Sequence, residues 1–227
     1  MLTFGFPARI TAAIGPGRAG IINVERESDL SGSIHTKGVY ILGGLLRTLL
    51  QTKHPLAFDA SIVFEQSYGG IDGDSASGAE VCCLLSALTR VPLRQDLAMT
   101  GAIDQMGHIL AVGAVNEKIE GFFDVCLDLG LTGGQGVIIP RANAGDLMLR
   151  EDVVETCLEG RFRVFAVDTI TEALEILTSK RACDANERGE HPADTVLGVA
   201  VRRAGDFWRW SNPDGERGDP PHPSRRL

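Results

Sequence analysis

The chain has 227 residues, 44% of them apolar, with a formal charge of -8 and a pI near 5.1, which is apolar content enough for a sizeable core. The acidic balance excludes a nucleic-acid surface built on bulk positive charge, so no nucleic-acid partner is expected. Five cysteines, an odd number without a Cys-x-x-Cys pair, exclude a disulfide framework and a cysteine metal site of the usual spacing.

The first dozen residues have no basic stretch followed by an apolar one, so no secretory signal is read and a cytoplasmic location is expected. Residues from about Arg9 to Glu27 alternate apolar and polar around Gly15-Pro16-Gly17-Arg18-Ala19-Gly20, which predicts two strands joined by a turn. That turn spells G-x-G-x-x-G, but a dinucleotide site needs a helix to open directly after the glycines, and Ile21-Ile22-Asn23-Val24 reads as strand. Val39, Leu42, Leu45, Leu46 and Leu49 have helical spacing, which predicts a helix over 38–52. This apolar run contains Arg47 and falls short of the roughly 20 residues that span a bilayer, so it is read as a core helix and no membrane contact is expected.

A strand is predicted at 60–64, then a loop of Gly, Asp and Ser, then a helix over 75–89 carried by Ala79, Cys82, Cys83, Leu85 and Leu88. Next come a strand at 97–103, a turn at 105–108, a short strand at 109–112 and a helix at 116–129 with Asn116 as its cap. Strands at 136–140 and 162–167 alternate with helices at 152–158 and 171–177, so the body is mixed, α/β or α+β. From 181 onward half of the prolines of the chain gather among balanced charges, which predicts a flexible polar tail over 181–227 with one short docking helix at 196–210.

The residues with most chemical interest lie where the small-residue loop meets the predicted helix at Ser75. A helix N-terminus directs unpaired N–H groups and positive potential outward, which suits an oxyanion on a carbonyl attacked by that serine. A serine that merely caps the helix is the bland alternative. A hydroxyl nucleophile needs a base, and the histidines are poorly placed: His191 and His222 lie in the tail and His108 in a polar turn. The nucleophile elbow G-x-S-x-G is absent, since Ser77 stands two residues after Ser75. A lysine kept neutral by its surroundings is the alternative base. Among the lysines of the body, Lys118 falls in the first turn of a predicted helix, where the dipole disfavours a cation.

The stretch Phe64-Glu65-Gln66-Ser67-Tyr68-Gly69-Gly70-Ile71-Asp72-Gly73-Asp74-Ser75-Ala76-Ser77 resembles the catalytic-serine segment of the Lon protease family, particularly its B-type branch. Gly113-Ala114-Val115-Asn116-Glu117-Lys118 is similar to the catalytic-lysine segment of that family, G-G-x-x-E-K, and Ser75 and Lys118 stand 43 residues apart, as the family has them. Two motifs in the right order and spacing are far more specific than either alone. The likeness runs from about Phe6 to Thr178 and includes Pro7 to Ala12 and Ser31 to Gly38.

The resemblance implies an α+β proteolytic domain over 1–180, related to the ribosomal protein S5 domain 2-like fold, and a Ser75–Lys118 dyad cleaving peptides and unfolded chains. It implies that Thr100 accepts a hydrogen bond from Lys118, that Asp74 and Glu65 support the site, and that the loop at Gly73 and Ala76 serves the oxyanion. It further implies a homo-oligomeric ring of six subunits. Lon proteins join this domain to an ATPase, yet no G-x-x-x-x-G-K-[ST] is spelled here. ATP and magnesium are therefore expected only with a module in cis or in trans, and no cofactor or metal on these residues. Ala114 departs from the glycine of the family motif. A non-catalytic binding or assembly module of the same fold is the rival reading, against which both dyad residues count.

Overall fold

In the computed structural model, which describes residues 3–183 and 185–213, the chain opens with strands β1 (Ile10–Pro16) and β2 (Gly20–Asn23). A single helical turn α1 (Val24–Glu27), helix α2 (Ser33–Leu50), strand β3 (Phe58–Phe64) and helix α3 (Ser77–Thr89) follow. Short strands β4 (Leu97–Met99), β5 (Ala102–Ile103) and β6 (Ile109–Leu110) lead to helix α4 (Val115–Leu129) and strand β7 (Gly136–Pro140). A 3-10 segment (Arg141–Asp146), helix α5 (Glu151–Leu158), strand β8 (Arg163–Val167), helix α6 (Ile170–Thr178) and helix α7 (Val196–Ser211) complete it. Helices and strands are mixed, as expected for an α+β domain. Among the described residues no helix is long and apolar enough to cross a membrane.

The first two strands do not form the hairpin that their turn suggests. Their sheet has the order β1-β3-β2, with β1 antiparallel to β3 in the register Ile10↔Phe64 and β2 parallel to it in the register Gly20↔Asp59. The strongly apolar β3 takes the centre because Phe58, Ala60, Ile62 and Phe64 all point into the core, on the period of two that a half-covered strand shows. A strand, not a helix, follows Gly20, which leaves the glycine turn without the helix N-terminus that a dinucleotide site requires.

Helix α2 starts five residues before the expected boundary. Its cap is remote: Asp72 Oδ1 accepts from the amides of Ile34 (3.2 Å) and His35 (3.3 Å), satisfying orphan donors of the first turn. The expected strand over 97–103 is two strands, divided at Thr100-Gly101.

Strands β4, β7 and β8 form a parallel sheet in the order β4-β7-β8 that separates two cores. Alternation along β7 sends Ile138 into the larger core with α2, α3, α6 and α7, and Val137 and Ile139 into the smaller one with Ile119 and Phe123 of α4, Val153 of α5 and Phe162. Helix α3 thus belongs to one layer and α4 to the other, and β4 ends between them at Thr100.

The short docking helix expected at 196–210 is present as α7, and it is built into the body where a flexible tail is expected. Helix α7 is capped by the buried Thr195, whose hydroxyl accepts from the Gly198 amide at 3.1 Å, and seats Val196, Leu197, Ala200, Ala204 and Phe207 in the larger core. Helix α7 is therefore part of the packed body. The rest of the expected tail, 214–227, lies outside the described residues.

Candidate active site

Ser75 lies two residues before α3, in a turn that strand β3 feeds and the helix receives. The turn is closed by Ser77, whose amide (3.0 Å) and hydroxyl (2.8 Å) both donate to the Asp74 carbonyl. The carbonyl of Ser75 accepts from the Gly101 amide at 2.7 Å and from the Thr100 hydroxyl at 3.2 Å, while the Gly78 amide donates to the Gly101 carbonyl at 3.0 Å. These bonds fasten the Ser75 backbone to the end of β4.

Lys118 comes from the opposite layer. Val115, Ile119, Phe123 and Cys126 form the buried stripe of α4, and Lys118, next to Ile119, leaves the edge of that stripe toward β4. Its Nζ donates to Ser75 Oγ at 2.9 Å and to Thr100 Oγ1 at 3.3 Å. The buried Thr100 hydroxyl thus accepts from the lysine and spends its own proton on the Ser75 carbonyl, which fixes the direction of both bonds. Burial depresses the pKa of Lys118 below the usual lysine value, opposed by the charge of Asp74. The stretch around Gly5 lies against the Glu117 and Lys118 backbone so closely that a Cβ on Gly5 or Gly121 would collide with the facing main chain. This contact adds to the cover over the lysine's helix.

Not every expected residue joins this group. Asp74 contributes its carbonyl to the turn and its charge to Lys118. The Glu65 carboxylate accepts from the Thr11 hydroxyl at 2.6 Å and makes no hydrogen bond to Ser75, Thr100 or Lys118. Gly73, at φ 90°, makes a bend that a side chain would strain, and its amide donates to Asp72 Oδ1 at 2.8 Å, so it is already engaged. The amides of Ser75 and Ala76 meet no acceptor among the described residues. Asn116 does not cap α4: its carbonyl oxygen accepts from the Met148 amide at 2.9 Å, and the cap position belongs to Ala114.

Ala114 has φ 56° and ψ 36°, the left-handed region where a Cβ costs about 1–2 kcal/mol. Glycine avoids that cost, which gives a physical reason for the glycine of the family motif. Replacing Ala114 with Gly recovers the strain less the greater entropy of an unfolded glycine, about 0.4–1 kcal/mol. A net gain of roughly 0.5–1 kcal/mol in denaturant unfolding is expected, and a loss would contradict the strain.

Three polar residues next to this site escaped the reading of the sequence: Glu25, His35 and Glu80, all buried. Spacing alone could have found two of them. His35 extends the stripe of Val39, Leu42, Leu46 and Leu49 back by one turn, and Glu80 shares the buried face of α3 with Ser77 and Leu84.

Residues 60–180 match the model of the Lon protease (S16) C-terminal proteolytic domain. The chain is 48% identical over 174 residues to a Lon protease homolog of Escherichia coli (strain K12), covering 77% of this chain and 30% of that protein. It is 44% identical over 200 residues to one of Haemophilus influenzae (strain ATCC 51907 / DSM 11121 / KW20 / Rd), covering 88% and 33%. An archaeal Lon protease of Thermococcus kodakarensis (strain ATCC BAA-918 / JCM 12380 / KOD1) is 37% identical over 119 residues, 52% of this chain and 17% of that protein. The chain spans about a third of the length of the first two relatives. The match to the domain model, over more than half of the chain, makes this protein a member of the Lon protease family through its proteolytic domain.

Proposed function

We propose that the chain is a serine endopeptidase in which Ser75 is the nucleophile and Lys118 its general base. The observation that carries this reading is the 2.9 Å contact between Lys118 Nζ and Ser75 Oγ, in surroundings that favour the neutral amine. Neutral Lys118 takes the Ser75 proton as Oγ bonds to the scissile carbonyl carbon, whose oxygen becomes an anion facing the amides of Ser75 and Ala76. The lysine then gives that proton to the departing amine, the C–N bond breaks and an acyl-serine remains. Lys118 next deprotonates water, which cleaves the ester and restores the serine. Thr100 holds the amine in place.

Unfolded polypeptides are the proposed substrates, in a ring of six copies in the cytoplasm, with an ATPase module in cis or in trans supplying unfolding work and no metal or nucleic acid at the site. Unfolding a stable domain takes about 5–15 kcal/mol, which hydrolysis at Ser75 does not provide. The purified protein is expected to cut a denatured protein without nucleotide, leave its folded form intact, and be labelled at Ser75 by a fluorophosphonate. Failure both to cut and to be labelled, at concentrations that span assembly, would sink the reading in favour of a non-catalytic module.

A further inference from the structure

The floor beneath the Ser75 turn is a buried polar cluster with one proton too few. Glu25 of α1 is 3% exposed, His35 of α2 is 1% exposed and Glu80, in the first turn of α3, is 1% exposed. Glu25 Oε1 accepts from the Phe64 amide at 2.7 Å, but Glu25 Oε2 and Glu80 Oε1 have no hydrogen-bond partner among the described residues. Such atoms are expensive to bury, far more so when both groups are charged.

His35 does not relieve them. Asn23 caps α1 with its Oδ1, accepting from the Glu25 amide at 3.1 Å, so its NH2 group is the one that faces His35 Nε2, also at 3.1 Å. His35 Nε2 is then an acceptor and the ring is neutral, with its proton on Nδ1. The distance of 3.7 Å between His35 Nε2 and Glu80 Oε1 is therefore no ion pair. Burial agrees, lowering the pKa of His35 against the pull of Glu25, the Gly73 carbonyl and Asp72.

We propose that Glu80 is a positioning residue that carries a proton in the active protein, so that the buried cluster joining the start of α3 to α1 and α2 beneath the nucleophile holds one carboxylate charge and not two. The consequence reaches Ser75 through two short links. Glu80 lies five residues after the nucleophile on the helix that the Ser75 turn starts, and Asp72 of the same loop caps α2 at His35. The groups that face Glu80 are Glu25 from α1, His35 from α2 and Cys83 on its own helix, none of them a cation when His35 is neutral. Burial, then the charge of Glu25, push Glu80 from 4.5 up to about 7.

A carboxyl whose pKa is raised in the folded state stabilises the fold fully below its unfolded value and ceases to do so as pH rises through the folded one. The window is thus pH 4.5 to about 7. The role in Ser75 reactivity rests on the serine-peptidase reading; the proton does not, so the two are measured apart. In Ser75→Ala the unfolding midpoint is expected to fall as pH rises across that window. Adding Glu80→Gln, which keeps a neutral donor, should flatten the fall, and adding Glu25→Gln should move it to lower pH. With Ser75 present, Glu80→Gln should leave fluorophosphonate labelling at pH 6 within twofold of the parent and raise it severalfold at pH 9. A midpoint that does not fall across the window in Ser75→Ala, or falls equally with Glu80→Gln, overturns the protonated Glu80. The expected midpoints with no labelling of the parent at any pH would count against the peptidase reading alone. If Glu80→Gln does not fold, the downward move in Glu25→Gln supports the protonated Glu80 and its absence overturns it.

Discussion

Ser75→Ala and Lys118→Ala are each expected to lower peptide-bond cleavage at least about 10³-fold, and the double variant is expected to be no worse than the more damaged single. General bases contribute about 10²–10⁴ in rate, and the parts of one catalytic unit are not additive. Lys118→Arg separates chemistry from charge: the guanidinium keeps the cation and the reach but does not deprotonate at any working pH, so it should be as inactive as alanine. Because burial lowers the pKa of Lys118 below its usual 10.5, cleavage in a Glu80→Gln background should rise with pH through a value below that of a free lysine. The sign follows from which form acts, since only the neutral amine accepts the serine proton. Near-parental cleavage by Lys118→Arg would remove the lysine from the role of base.

The proposed pairing of Ser75 with Lys118 is legible in the sequence because each residue sits in a local motif, and the strand and helix on either side of Ser75 follow from short-range spacing. The remainder depends on contacts between residues far apart in sequence. The remote cap of α2 comes from Asp72, 38 residues beyond its first recipient, Ile34, and no local signal announces it. The parallel pairing of β2 with β3 is set by which strand is apolar enough to be covered on its inner face, a competition that the glycine turn between β1 and β2 does not reveal. Glu25 and Glu80 were passed over because carboxylates are ordinarily solvated, so a helical position inside the buried face of α3 carried too little weight. Asn116 looked like a cap because its type favours one, but the backbone turned one residue earlier, at Ala114.

Helix α7 was underestimated for a different reason: a charge-balanced, proline-rich segment averages out the face of a helix that alternates Arg202, Arg203 and Asp206 with Ala200, Ala204 and Phe207. Leu197 is fully buried and Phe207 is 3% exposed in the larger core, whereas Trp210, one turn on, is 58% exposed. If α7 is an integral wall of that core, Leu197→Ala should cost about 2–5 kcal/mol and Phe207→Ala about 3–5 kcal/mol, through lost burial and the cavities left behind. Trp210→Ala should stay near 0.5 kcal/mol, as exposed sites do. At roughly 2–4 °C per kcal/mol for a chain of this size, the two core variants should melt about 4–20 °C lower. A helix that merely hangs on the surface predicts another pattern, with all three variants near the parent. The effect should reach the proposed active site, because α7 packs on α3 and β1 and α3 carries the Ser75 turn. Leu197→Ala is therefore expected to lose fluorophosphonate labelling at a lower temperature than the parent, in step with its melting, while labelling at 20 °C stays near the parental rate. Parental melting of both core variants would return α7 to the role of an appendage.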